Sequence, residues 1–147
     1  MKSKMATVLA LLAISLAIGQ TAFADTAEYA YIVQVTGTRF LPSTIYAGDT
    51  LSLAVDVKNK GLMYPIQDLN VSISAGSQFE PVKDSDFVNS IRIGNTQTVV
   101  MKLRAKEDTT PGYYSALITF NYTKNGQKVK EDYNISIPVS KAEKNLD

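Results

Sequence analysis

The sequence contains no histidine, no cysteine and no tryptophan. Without histidine the chain lacks the side chain whose ordinary pKa lies nearest neutrality, so nucleophilic catalysis of the Ser-His kind has no imidazole base. Without cysteine it has no thiolate, no soft metal ligand and no disulfide, and its stability must come from an apolar core. Charge of either sign is not in excess, with 15 basic against 14 acidic residues. Nucleic-acid binding requires many phosphates to be neutralised at once, so this balance argues against it, and no polybasic cluster is present to hold an anionic membrane.

Long apolar runs are also scarce. The single example, Met5–Ile18, follows Lys2 and Lys4 and is succeeded by Ala22-Phe23-Ala24. A positive start, an apolar stretch and a small-x-small site make Met1–Ala24 read as a cleavable export signal. The expected mature chain is Asp25–Asp147, 123 residues with 13 basic and 14 acidic side chains. No second stretch is apolar enough over about 18–20 residues to span a bilayer, so no transmembrane anchor is expected after processing. Asp25, rather than cysteine, at the first mature position leaves no site for a bacterial lipoprotein anchor. The expected location is extracytoplasmic, either secreted or held at the cell envelope. Residues 141–147 read as a short charged tail.

What the mature region has is period-two alternation, broken by turn residues every 8–15 positions. This predicts strands at Tyr29–Thr36 (with a continuation through Arg39–Leu41), Thr50–Lys58, Ile66–Ser74, Phe79–Val82, Phe87–Ile93, Thr96–Ala105, Tyr113–Thr123 and Lys128–Val139. Leu51, Leu53, Val55 and Val57 share one face; so do Leu69, Val71 and Ile73; Val99, Met101, Leu103 and Ala105; and Tyr114, Ala116, Ile118, Phe120 and Tyr122. On the last strand Val129, Tyr133, Ile135, Ile137 and Val139 are expected inward. Asn125-Gly126 is the strongest hairpin signal, because both residues accept the positive φ of a type I′ turn. No helical stretch is expected in residues 25–140. The fold class is all-β, a single immunoglobulin-like sandwich of seven to eight strands, with an up-and-down barrel as the competing arrangement.

Two runs carry a family resemblance. Leu41-Pro42-Ser43-Thr44-Ile45-Tyr46-Ala47-Gly48-Asp49-Thr50 leads into Val55-Asp56-Val57-Lys58-Asn59-Lys60-Gly61, and Thr110-Pro111-Gly112-Tyr113-Tyr114 leads into Ile118-Thr119-Phe120-Asn121-Tyr122. Together they resemble the archaeal S-layer-domain-like proteins and the CARDB-type (cell-adhesion-related) modules of prokaryotic envelopes, over residues 41–140. The resemblance implies an immunoglobulin-like envelope module whose partners are envelope or extracellular proteins, and glycans as a further class.

Several residue groups carry candidate chemistry. Tyr114, inward at the start of its strand, is placed to form a tyrosine corner by bonding a backbone group in Glu107–Pro111; the alternative makes Tyr113-Tyr114 a ligand platform. Three acceptor sequons, Asn70-Val71-Ser72, Asn121-Tyr122-Thr123 and Asn134-Ile135-Ser136, put asparagines at outward positions of the third, seventh and eighth strands. Those strands are expected side by side, so one face would carry glycans or contact carbohydrate or a partner; a merely solvated strand face has the same composition. Glu80, Asp84 and Asp86 form an acidic loop with oxygen ligands but no EF-hand spacing, so they read as solvated acids. Ser115 and Thr119 lack a base. No catalytic, cofactor-binding or metal-binding residue is expected. Tyr46, Tyr64 and Tyr113 are the tyrosines expected to be exposed, with Tyr46 and Tyr64 as a candidate shared sugar platform.

The function expected from these features is non-catalytic: adhesion, assembly or accessory protein contact. Two rivals are a carbohydrate-binding module and a filament subunit that polymerises by exchanging its N-terminal strand, Tyr29–Thr36.

Overall fold

The computed structural model describes residues 28–142. The stretch read as an export signal, Met1–Ala24, together with Asp25 and most of the residues 141–147 read as a charged tail, lies outside these residues. Eight strands follow one another without a helix among the described residues: β1 (Val33–Leu41), β2 (Thr50–Asn59), β3 (Ile66–Ala75), β4 (Phe79–Lys83), β5 (Ser85–Ile91), β6 (Thr96–Ala105), β7 (Gly112–Lys124) and β8 (Gln127–Val139).

These strands build two four-stranded antiparallel sheets, ordered β1-β2-β6-β4 and β5-β3-β7-β8. β2 pairs with β6 and β3 with β7, so the ladders are not closed in sequence order as an up-and-down barrel requires. The fold is an immunoglobulin-like β-sandwich. Its core is made by the alternation itself. Leu51, Leu53, Val55 and Val57 of β2 and Val99, Met101 and Leu103 of β6 meet Leu69, Val71 and Ile73 of β3 and Ile118 and Phe120 of β7, all buried. Each such side chain contributes about 1.5–3 kcal/mol on burial, which suffices for a domain with no covalent cross-link.

The Asn125-Gly126 turn joins β7 to β8 with φ of 50° and 74°, the left-handed pair that a two-residue hairpin needs. β8 is the edge of its sheet. There Tyr133, expected inward, lies opposite Ile118 on the core side yet stays exposed.

Three expectations along the chain need correction. Tyr29–Tyr31 is not strand: β1 starts at Val33, and the alternation breaks where Ile32 and Val33 are both buried. The stretch 83–86 is not an acidic loop. β4 ends at Lys83 in one sheet and β5 begins at Ser85 in the other, so a single residue, Asp84, turns the corner between sheets. Asp84 accepts the Ile73 N–H through its backbone carbonyl at 2.9 Å. Asp86 then reaches back across the corner to accept the Val100 N–H at 2.9 Å, satisfying β6 beyond the point where β4 has stopped pairing with it. Finally, Ile93 lies beyond the end of β5 and is exposed.

Candidate functional site

The polar chemistry of the described residues concentrates in two places: the end of the sandwich where the chain enters, and the outer face of the β5-β3-β7-β8 sheet.

At the entry end, one carboxylate organises a loop. Glu28 accepts the N–H groups of Leu62, Met63 and Tyr64 at 2.8, 2.7 and 3.0 Å, and that of Tyr29 at 2.9 Å. Partial desolvation pulls its pKa upward, but the four backbone donors outweigh this and hold the carboxyl below its ordinary value. The clamp leaves Tyr29, Leu62 and Met63 outside, 51%, 53% and 53% exposed, with the Lys60 ammonium 5.6 Å from the centre of the Tyr29 ring.

Beneath this tip lies Asn59, expected only to end a strand but fully buried. Its amide donates to the carbonyls of Tyr64 and Ile91, both at 3.0 Å, and its Oδ1 accepts the Gly61 N–H at 2.8 Å. A Cβ on Gly61 would stand 2.8 Å from Asn59 Oδ1, 3.0 Å from Glu28 Oε2 and 3.1 Å from Ile32 Cγ2, so any other residue here forces these side chains to shift.

The entering segment is tied to the opposite sheet as well. Ile32 N–H donates to the Tyr122 hydroxyl at 3.1 Å, and Val33 N–H to Glu131 at 3.1 Å. Tyr122 in turn donates to Glu131 at 2.5 Å. Burial, then the Glu131 carboxylate, push the Tyr122 pKa well above its ordinary value. Lys124 Nζ donates to the carbonyls of Tyr29 and Ala30 at 2.6 and 3.0 Å. Glu131 stands opposite Phe120, on the core side of β8. The sequence signal was available: an acid in phase with the apolar positions Val129, Tyr133 and Ile135.

On the sheet's outer face, Asn70 lies directly opposite Asn121 across β3–β7, while Asn134 lies opposite Leu117 across β7–β8. All three asparagines are exposed on one face. Asn70 and Asn121 belong to a four-strand row, Phe87–Asn70–Asn121–Lys130. Beside that row β3 bulges: the register shifts between Gln67 and Asn70, and Asp68 takes φ of 50°, in the left-handed region. Beside the bulge lies a groove of about 540 Å³ lined by the polar Asp68, Asn70, Asn121, Thr123, Lys128 and Lys130 together with Tyr122 and Val129.

The remaining candidates are spread apart. The Tyr114 hydroxyl donates to the Thr110 carbonyl, lies 3.0 Å from Thr110 Oγ1, and its ring packs edge-on to Phe79 at 5.6 Å. This is tyrosine-corner geometry. Its neighbour Tyr113 is 83% exposed. Tyr46 and Tyr64 flank opposite ends of β2, about 30 Å apart for a ten-residue strand, and both are half-buried, so they share no platform. The tyrosines that are exposed include Tyr29, Tyr31 and Tyr133 besides Tyr113. Glu80 pairs with Arg104 at 3.7 Å, and Asp86 with Lys83 at 3.4 Å. Thr119 Oγ1 donates to Asp132 at 2.9 Å, and Ser115 stands opposite Ser136. Among the described residues no three acidic side chains converge on one point.

No family model matches the chain, and no match is found among curated proteins. Among solved structures it is similar to native Escherichia coli alpha-2-macroglobulin, at 26% identity and a TM-score of 0.49 over 74% of this chain. It is also similar to Spo0M, a sporulation control protein from Bacillus subtilis, at 13% identity and 0.45 over 76% of this chain. The chain spans 6% of the length of the first and 51% of the second.

Proposed function

We propose that this chain is a non-catalytic, extracytoplasmic contact module that presents its entry end to an envelope or extracellular protein. The observation that carries this reading is the tip held by Glu28: Tyr29, Leu62 and Met63 are exposed on backbone fixed by one carboxylate through four hydrogen bonds. Apolar side chains displayed on a rigid loop lose little freedom when a partner covers them, so their burial goes largely into affinity. The tyrosine ring and the methionine also match the make-up of the buried centre of protein interfaces, with Lys60 at their edge. The acids and hydroxyls singled out from sequence support the reading in another way, since Glu80, Asp86, Tyr114 and Thr119 are engaged in structural bonds. The location follows from the export-signal pattern of Met1–Ala24.

The test is site-specific photo-crosslinking in intact source cells, with the reactive group at Met63 and, as control, at Ser136 on the far sheet face. The expected result is one partner captured from Met63 and not from Ser136, by protein that begins at Asp25 and lies outside the cytoplasm. Equal capture from both positions, or protein retained in the cytoplasm, overturns the reading.

A further inference from the structure

The groove on the outer face of the β5-β3-β7-β8 sheet shares no lining residue with the tip, although Lys124, next to Thr123, reaches the Tyr29 and Ala30 carbonyls. Its floor is β7 at Asn121–Thr123, and its walls are β3, displaced by the bulge at Asp68, and β8 at Lys128 and Lys130. A non-glycine residue at φ of 50° within a strand is uncommon, and bulges of this kind re-aim side chains beside binding sites. Here the bulge gives the polar side chains a concave surface to converge on, where a regular ladder would leave them on a flat one.

The chemistry of the lining is specific. Asn70 and Asn121 face each other across the ladder, and each carboxamide offers two donors and an acceptor, which suits vicinal hydroxyls. Asp68 supplies an acceptor for a further hydroxyl. Lys128 and Lys130 bring two ammonium groups against that one carboxylate, so the groove favours an anionic substituent. Next to Asn70 in the same row stands Phe87, 54% exposed, a flat apolar face on the outside of the sheet. From Phe87 to Lys130 the row crosses three inter-strand spacings, about 14 Å, the length of roughly two to three linked pyranose rings. An aromatic ring for the C–H face of one sugar, paired amides for hydroxyls and a cationic end for a carboxylate lie in that order along one line.

We propose that this groove binds a carboxylate-bearing oligosaccharide, with Phe87 stacking on one ring, Asn70 and Asn121 holding hydroxyls, and Lys128 and Lys130 receiving the carboxylate. The proposal does not depend on the protein contact assigned to the tip. It does bear on the two sequons, since a glycan on either amide leaves that nitrogen a single N–H and puts its own sugar where the bound one would lie. The groove therefore requires Asn70 and Asn121 to be unmodified.

The experiment uses mature protein made in a host that does not glycosylate, presented to an array of uronate-containing and neutral oligosaccharides, with hits titrated by calorimetry. Uronate-containing chains are expected to bind above the neutral set. Asn121→Ala, Lys130→Gln and Phe87→Ala are each expected to weaken the best of them by about tenfold or more, the effect of losing one good polar or stacking contact. Asp68→Asn, which keeps a residue tolerant of the left-handed region, is expected to weaken binding less. Lys102→Gln, on the other sheet, is expected to leave it unchanged, and unchanged melting temperatures show that the variants are folded. The proposal is overturned if no uronate-containing chain exceeds the neutral set, if the groove variants bind as well as wild type, or if native protein carries a glycan on Asn70 or Asn121.

Discussion

The Tyr122 hydroxyl stands between Glu131, to which it donates at 2.5 Å, and the Ile32 N–H, from which it accepts at 3.1 Å. This one oxygen joins β7, β8 and the entering segment, and Val33 N–H closes the circuit on the same Glu131 oxygen at 3.1 Å. Two side chains of the β7–β8 hairpin thus hold the entering segment, distant from them in sequence, beside the core.

Substituting Tyr122 by Phe leaves the Ile32 N–H without a partner and removes a donor from a half-buried carboxylate. The expected loss is about 1–3 kcal/mol of unfolding free energy, read from urea titration. The pH dependence has a definite sign. Tyr122 keeps its proton in the folded state to higher pH than its ordinary 10.0, so its contribution is complete below pH 10. Above that, the unfolded chain releases the proton while the folded chain holds it, and stability falls as pH rises. In Tyr122→Phe this alkaline decline should be shallower; an identical slope in both proteins would contradict the assignment.

Glu28 has the opposite behaviour. Its carboxyl is held below the ordinary value of 4.5 by the donors of the 62–64 loop, so the clamp is at full strength above that pH and is lost as pH falls through the lowered folded value. Amide exchange of Leu62, Met63 and Tyr64 should therefore accelerate on acidification relative to strand amides such as those of β6. Glu28→Gln should show the fast exchange already at neutral pH. Because Glu28 lies at the surface, global stability should change by less than about 1 kcal/mol.

Alternation carried far in this chain because β2, β3, β6 and β7 each have one face against the core and one against water, and that asymmetry leaves a period of two. It failed where a residue answers to backbone groups instead of to a face. Asn59-Lys60-Gly61 has the composition of an ordinary turn, yet Asn59 is a buried bracket for two carbonyls and an N–H contributed by residues as far away as Ile91. Glu28 lies among residues with no ladder partner, so no periodicity marks it. The switch of sheets at Asp84 was hidden for the same reason: Lys83–Asp86 is polar like a loop, and only pairing with two different sheets distinguishes a corner from one. The groove depends on a one-residue bulge at Asp68, whose left-handed backbone leaves no trace in hydropathy.

The bracket at Asn59 predicts a graded series. Asn59→Ala orphans the Tyr64 and Ile91 carbonyls and the Gly61 N–H at a buried site and should cost about 2–4 kcal/mol. Asn59→Asp keeps the shape but replaces the amide donors with a carboxylate facing two carbonyl oxygens, so at neutral pH it should cost more than Ala and recover in part on acidification. Gly61→Ala sets a methyl 2.8 Å from Asn59 Oδ1, and should fall between wild type and Asn59→Ala. Thermal melts of the four proteins at pH 7, with the Asp variant repeated at pH 5, check the order; an Asp variant as stable as wild type would refute the donor assignment.

The three sequons are not equivalent in space, and their occupancy should differ. Asn70 and Asn121 are direct cross-strand partners, with Cβ atoms about 4.5–5.5 Å apart, so a glycan on either covers the other amide. Each also has an occupied strand on both sides, Asn70 between β5 and β7 and Asn121 between β3 and β8. Asn134 is on the edge strand β8, opposite Leu117, with a ladder neighbour on one side only. In a host that glycosylates exported proteins, peptide mapping by mass spectrometry should find the modification at Asn134 and bare asparagine at 70 and 121. Asn134→Gln should then abolish the mass increment entirely, whereas Asn70→Gln and Asn121→Gln should leave it intact. Molecules bearing glycans on Asn70 and Asn121 together would contradict this crowding argument.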